Sequence, residues 1–223
     1  MLRLHAGSTV LDVASGTGSS AFTVAERFGC RVVGIDLSEA NVAEANAQSA
    51  QRGLAERVEF RVADAENLPF GSATFDALLC ECAFCTFPDK AKGASEFARV
   101  VRPGGMVGLS DLTRADGSLP ELDGLLAWIA CIGDARPVDA YAEWLEDAGF
   151  TIAVNAAKDG VLASMVEQVR GRLMLADIMI GLKKLELPGL DLQQARGFAN
   201  AAAQAVKNGT LGYALLVGER QRS

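Results

Sequence analysis

Residues 9–36, TVLDVASGTGSSAFTVAERFGCRVVGID, read without interruption as an apolar strand, a turn of small residues, a helix and a second apolar strand. Two strands joined through one helix pair in parallel, and such crossovers take one hand. The first thirty-six residues therefore commit the chain to an open α/β sheet. The pattern continues downstream. Ser38 is placed to cap an Ala-rich helix that ends near Gly53, VEFRVAD (58–64) alternates as a strand, and FDALLCEC (75–82) is a further strand. Lys90–Val101 reads as a helix stopped by the turn Pro103-Gly104-Gly105, and MVGLSD (106–111) as a fifth strand.

The second half is more helical. Leu119–Ile132 and Val138–Ala148 have helical spacing, TIAVNAA (151–157) reads as a strand, and helices are expected over about 160–184 and 191–207. TLGYALLVG (210–218) closes the chain as a strand. The expected fold is α/β: a mainly parallel, seven-stranded sheet with helices on both faces and helical additions after strand five. No stretch has the composition of a linker, so 1–223 is expected to be one domain, with a core over 1–111 and substrate-side elements over 112–223.

Composition narrows the classes of function. A chain of 223 residues buries enough surface to fold without a disulfide or a metal. The net charge of −7 argues against nucleic acid as a partner, because phosphate binding needs clustered cations. No apolar run approaches the roughly 18 residues that span a bilayer, so no membrane is expected. Five cysteines at irregular spacing do not form a disulfide framework, which points to a reducing, cytoplasmic setting.

The glycine turn is the sharpest motif. Asp12 ends a buried strand, and Gly16 and Gly18 let a ligand approach the backbone where a Cβ would collide. Asp36 ends the next strand, about 20 residues after the turn, where a carboxylate can accept both hydroxyls of a ribose. A nicotinamide dinucleotide would want G-x-G-x-x-G, and ASGTGSS lacks the third glycine. Asp64, in ADAENLPF, adds a polar group at the end of the third strand, where an adenine amine could sit.

LDVASGTG, GIDLS, ADAENLPF, FDALLC and RVVRPGG, in that order over residues 9–111, resemble the class I S-adenosylmethionine-dependent methyltransferases, which have a Rossmann-like fold. The resemblance implies that Asp12 and the loop Ala14, Ser15, Gly16, Thr17 and Gly18 hold the methionine end of the cofactor. It implies Asp36 on the ribose, Leu37 against the adenine, Asp64 with Ala65 on the adenine amine, and S-adenosylhomocysteine as product. Ala14 stands where the family usually has glycine.

The cysteines point further. Period-two alternation puts Cys80 and Cys82 on one face of the fourth strand and Glu81 on the other, with Cys85 in the following loop. Such strand ends are where ligands bind in α/β sheets. Each thiol is alternatively a small buried hydrophobe, and Cys80 could pack beside the cofactor. Zinc through Cys82-x-x-Cys85 lacks a second ligand pair, so no metal is expected. The segment Cys82–Lys90, CAFCTFPDK, resembles the same region of arsenite methyltransferases, as does the Cys131 segment with the helix Asp139–Ala148. That resemblance implies Cys82 and Cys131 as thiolate ligands of trivalent arsenic; Cys85 has no counterpart. Those enzymes usually carry further cysteines ahead of the glycine loop, and residues 1–8 hold none.

Methyl transfer from a sulfonium is a one-step, in-line displacement in which the protein mainly supplies alignment. Thiolate-bound arsenic(III) keeps a lone pair and needs no general base, and the one histidine, His5, precedes the first strand. Asp111, Glu81, Asp134, Arg136 and Tyr141 could orient a substrate or serve as ordinary turn and surface residues. The expected activity is methylation of a thiol-bound metalloid, with arsenite foremost. The alternatives are methylation of an organic small molecule (amine or thiol) and a cofactor-binding protein without chemistry.

Overall fold

The computed structural model describes residues 2–115, 131–182 and 191–222. Seven strands form one sheet: β1 (Thr9–Val13), β2 (Arg31–Asp36), β3 (Val58–Val62), β4 (Phe75–Glu81), β5 (Val101–Arg114), β6 (Phe150–Ala157) and β7 (Leu211–Arg220). Their order is β3-β2-β1-β4-β5-β7-β6. Strands β1 to β5 pair in parallel, with Val13 opposite both Ile35 and Cys80, and Glu81 opposite Ser110. β7 runs against its neighbours: Val107 and Thr113 of β5 lie beside Gly218 and Gly212, and the Gln221 N–H donates to the Gly149 carbonyl ahead of β6 while the Lys158 N–H following β6 donates to the Tyr213 carbonyl. The mostly parallel, seven-stranded α/β fold with flanking helices is as the sequence predicts. The crevice where the strand order reverses falls between β1 and β4.

The helices are α1 (Ser19–Phe28), α2 (Glu39–Gln51), α3 (Lys90–Val100), α4 (Val138–Asp147), α5 (Asp159–Gly181) and α6 (Leu192–Lys207). Local chemistry explains their ends. α1 begins after Gly18 at φ +89 and ends at Gly29, also left-handed, whose N–H returns to the Ala25 carbonyl. The Ser38 hydroxyl accepts the Asn41 N–H at the start of α2, and the Asp89 carboxylate accepts the Lys92 N–H at the start of α3. Val10, Val32, Val58 and Phe60 of β1–β3 pack with Phe22 and Ala25 of α1 and Val42 and Ala45 of α2 in one buried cluster.

Two expectations change. β5 is longer than 106–111 and runs through Pro103-Gly104-Gly105. Phe75 pairs with Val101 and Ala77 with Met106, so β4 advances two residues while β5 advances five. The Pro-Gly-Gly segment, with Gly104 at φ +77, is a bulge in a continuing strand, because pairing on both sides overrides the local turn signal. β4 in turn ends at Glu81. Cys82 lies beyond it at φ +51, so the alternation that was to place Cys80 and Cys82 on one face stops one residue early. The expected helix 119–132 falls almost wholly outside the described residues.

The chain divides into two compact units, Met1–Asp111 with Asp139–Ala156 and Leu215–Ser223, and Leu112–Val138 with Ala157–Ala214. In the first, Phe84 packs against Phe87, Phe97, Tyr141 and Trp144, joining the turn after β4 to α3 and α4. In the second, α5 lies against α6, tied by Arg170 to Asn200 (3.0 Å) and Arg196 to Asp177 (2.6 Å). Among the described residues no helix is long and apolar enough to cross a membrane.

Candidate functional site

The carboxyl ends of β1, β2, β3 and β4 gather the acidic and glycine residues of the sequence motifs in the first unit. Ala14 to Gly18 form the loop between β1 and α1. Ala14 takes φ +54 and Gly16 φ +53, so the loop turns twice through the left-handed region. At Ala14 this conformation costs about 1 kcal/mol. Ala14→Gly is expected to raise the unfolding free energy by about that amount, checked by urea denaturation. A Cβ at Gly16 would meet open space, so the loop presents bare backbone there. Ser15 and Gly18 are fixed by backbone bonds, Ser15 N–H to the Ile35 carbonyl (2.8 Å) and Gly18 N–H to the Ser15 carbonyl (2.9 Å). Thr17 is exposed.

Asp36 is held on both oxygens. One accepts the Gly16 N–H at 2.8 Å, and the other accepts the Ser38 N–H at 2.9 Å and the Asn41 side-chain amide at 3.2 Å. Leu37, next in sequence, is 74% exposed, an apolar face set beside that carboxylate. The Ala63 N–H donates to the Asp36 carbonyl, which brings Asp64 and Ala65 to the same edge. Asp64 folds its own turn by accepting the Glu66 N–H. The loop that follows is clamped from α3. The Arg99 guanidinium donates to the Leu68 and Phe70 carbonyls, and Glu96 accepts the Leu68 N–H at 2.7 Å. Arg99, hydrogen-bonded to Glu96, holds that carboxyl below the usual range.

Asp12 is a buried carboxyl of the site. Its side chain is 2% exposed, and Oδ2 has no hydrogen-bond partner. Burial, then the negative charges of Glu81 and Asp36, push its pKa up to about 7, against the Ala21 N–H that favours the carboxylate. A buried carboxylate oxygen without a donor is costly, and a positively charged ligand would satisfy it.

The four cysteines of this unit differ. Cys30 is a core residue packed with α1 and β2. Cys80 is fully buried, and burial with the charges of Asp111 and Asp12 pushes its thiol well up, so it stays protonated at neutral pH. Cys85 is buried in the single turn Phe84–Thr86, its N–H donating to Asp111 Oδ2 at 2.8 Å. Cys82 is half-buried at the mouth of β4, its N–H bonded to the Ser110 carbonyl at 2.8 Å. A non-glycine residue at φ +51 is strained by about 1–3 kcal/mol, and such residues cluster at functional sites. Cys131, also half-buried and left-handed at φ +60, belongs to the second unit, ahead of the turn Ile132–Ala135. Among the described residues no group of three or more His, Cys, Asp and Glu side chains is arranged to hold a metal ion.

Sequence reading missed three elements of this site. Gly34 and Gly18 both lie under the Phe60 ring, the Glu96–Arg99 pair holds the Asp64 loop, and Ser20 of α1 donates to Glu81. Only the glycine inside RVVGID offered a local signal, since an isolated glycine in a strand marks a close approach.

Residues 10–105 match the family model described as a methyltransferase domain. This stretch is an S-adenosylmethionine-dependent methyltransferase domain. An arsenite methyltransferase of Halobacterium salinarum is 31% identical to the chain over 159 residues, which are 69% of this chain and 40% of that protein. Phosphoethanolamine N-methyltransferase 1 of Triticum aestivum is 37% identical over 171 residues, 76% of this chain and 34% of that protein. The chain thus spans well under two thirds of the length of these curated relatives. Among solved structures, phosphoethanolamine N-methyltransferase 2 of Haemonchus contortus, in complex with phosphomonomethylethanolamine and S-adenosylhomocysteine, superposes with a TM-score of 0.82. It covers 98% of this chain and 50% of its own, and at 21% identity it shows the shared fold. The methyltransferase domain fits its cofactor on three observations. The unpartnered Asp12 oxygen suits an ammonium, the open backbone at Gly16 suits close approach, and exposed Leu37 beside Asp36 suits a ring attached to a diol.

Proposed function

We propose that the chain methylates a thiol-bound metalloid, with arsenite the foremost substrate. S-adenosylmethionine, when bound, supplies a methyl group activated on a sulfonium. In this reading Asp12 and the loop Ala14, Ser15, Gly16, Thr17 and Gly18 hold its methionine end, Asp36 its ribose and Leu37 its adenine face. Asp64 and Ala65 meet the adenine amine, and Cys80 packs beside the cofactor as a neutral thiol. Residues 1–111 form the cofactor core, and 112–223 complete the same catalytic domain on the acceptor side.

The observation that carries the metalloid reading is Cys82, held in a strained left-handed turn at the end of β4, next to the crevice. A thiolate there can hold arsenic(III) while leaving its lone pair free, so no general base is required. Cys131 is the second ligand and Cys85 a reserve thiol in the same segment. The similarity to the Halobacterium arsenite methyltransferase supports this choice. A second reading, an organic amine as acceptor, is favoured by the phosphoethanolamine N-methyltransferase relative.

Titration of the reduced protein with arsenite in the presence of S-adenosylmethionine, followed by product analysis, separates the two. Stoichiometric binding that is lost in Cys82→Ser and in Cys131→Ser, with methylated arsenic formed by the parent protein, is the expected result. An absence of arsenite binding, or binding indifferent to both substitutions, overturns it and turns the search to small amines.

A further inference from the structure

The first turn of α1 ties together two carboxylates from different strands. The Ala21 N–H donates to Asp12 at the end of β1, and the Ser20 hydroxyl donates to Glu81 Oε2 at the end of β4. The positive end of a helix is a favourable place for both negative charges. Asp36, a further carboxylate at this edge, is committed on both oxygens to the Gly16 and Ser38 N–H groups and to Asn41. Asp12 is not: its Oδ2 is buried, with no donor. The site therefore holds a buried oxygen that lacks a partner, and a second, exposed carboxylate fastened beside it.

We propose that Glu81 is a positioning and specificity residue of the cofactor site, pairing with Asp12 across the ends of β1 and β4 so that the two select a positively charged amino group. This rests on the cofactor reading above and deepens it: the methionine ammonium is recognised by two carboxylates, not one. Ser20 fixes Glu81, so the pair is set before a ligand arrives. The titratable groups facing Asp12 are Glu81 and Cys80 from β4 and Asp36 from β2. The first turn of α1 contributes a hydroxyl and N–H groups and no acidic side chain. Cys80 is neutral at physiological pH, and both oxygens of Asp36 are engaged by donors, which leaves Glu81 as the carboxylate that joins Asp12 in the pair. Its negative charge also keeps Asp12 harder to ionise in the absence of a cation.

The test compares two ligands that share an adenosine and differ at the other end: S-adenosylhomocysteine, and 5′-methylthioadenosine, which has no amino acid and so no α-ammonium. Calorimetry on the parent protein, Glu81→Gln and Ser20→Ala measures both. Glu81→Gln is expected to weaken S-adenosylhomocysteine about fivefold and to leave 5′-methylthioadenosine unchanged, as for loss of one partly exposed charge partner. Ser20→Ala shifts the ratio in the same direction by less. Independently, the carbon-13 resonance of the Asp12 carboxyl in the cofactor-free protein is expected to titrate at lower pH in Glu81→Gln than in the parent. Equal effects on the two ligands, or an unmoved Asp12 midpoint, overturn the role of Glu81. If the parent protein binds neither ligand, the cofactor reading itself fails; if it binds both and Glu81→Gln discriminates as the parent does, only the present inference fails. Glu81 is exposed, and a thermal melt confirms that the variants fold.

Discussion

Asp12→Asn is expected to make the cofactor-free protein more stable above pH 7, by up to about 4 kcal/mol, while removing its affinity for the methyl donor. The magnitude follows from a carboxyl whose pKa rises from 3.8 to about 7 on folding, at about 1.4 kcal/mol per unit. The direction follows from proton counting. Below about pH 4 both folded and unfolded Asp12 are protonated, and burial costs little. Between about 4 and 7 the unfolded chain releases a proton that the folded chain keeps, so stability falls as pH rises. Above about 7 the folded carboxyl ionises too and the loss levels off. Asparagine has nearly the same shape, can still accept the Ala21 N–H, and never ionises. Urea denaturation of the two proteins from pH 4 to pH 8 measures the effect. Their difference should widen across that window, and a pH-independent difference would remove burial of Asp12 as its cause. The parent protein recovers its deficit on binding ligand, by mass action. A site residue kept at the expense of stability is the usual pattern for a binding carboxylate.

The same residue shows what a sequence can and cannot convey about this site. That Asp12 ends a buried strand before a glycine turn is plain in LDVASGTG, because apolar runs and glycines are local signals. That its second oxygen lacks a partner is not, because this depends on β2 and β4 pairing on either side of β1 and on where Glu81 falls. Parallel strands, buried on both faces, read as continuous apolar runs, which is why β1, β2 and β4 were legible within a residue or two. The extension of β5 across Pro103-Gly104-Gly105 was not, since a turn signal is local and strand pairing is not. Cys82 illustrates the finer failure. Period two is a property of strands, and the fourth strand ends one residue before the cysteine whose face it was to set. Cys82 and Cys131 fall in different compact units, and their shared role is a reading of sequence resemblance.

Gly34 gives the second large effect. Sequence periodicity treats it as one more position of RVVGID, yet a Cβ there would stand 2.3 Å from Phe60 Cδ1 and 2.7 Å from the Ser15 hydroxyl. No real Cβ contact is that short, so something must move. Phe60 is a poor candidate: its ring is buried, packs edge-on to Phe22 at 5.5 Å, and also lies over Gly18. Ser15 belongs to the glycine loop, so displacing it disturbs the backbone on which the cofactor is proposed to rest. Gly34→Ala is therefore expected to destabilise by about 3 kcal/mol, the upper end for overpacking a well-filled core. It should also weaken S-adenosylhomocysteine through the shifted loop. Phe60→Leu removes the ring and costs stability of its own by leaving a partial cavity. Combined with Gly34→Ala, it should cost less than the two separate losses, because the new methyl occupies space the ring has vacated. A double-mutant cycle on urea unfolding free energies measures that coupling, with about 1 kcal/mol or more of mutual relief expected. Strict additivity would mean that Ser15, not Phe60, limits the site. The cofactor loop would then be held in place by β2 directly, not by the aromatic ring that β3 lays across two glycines.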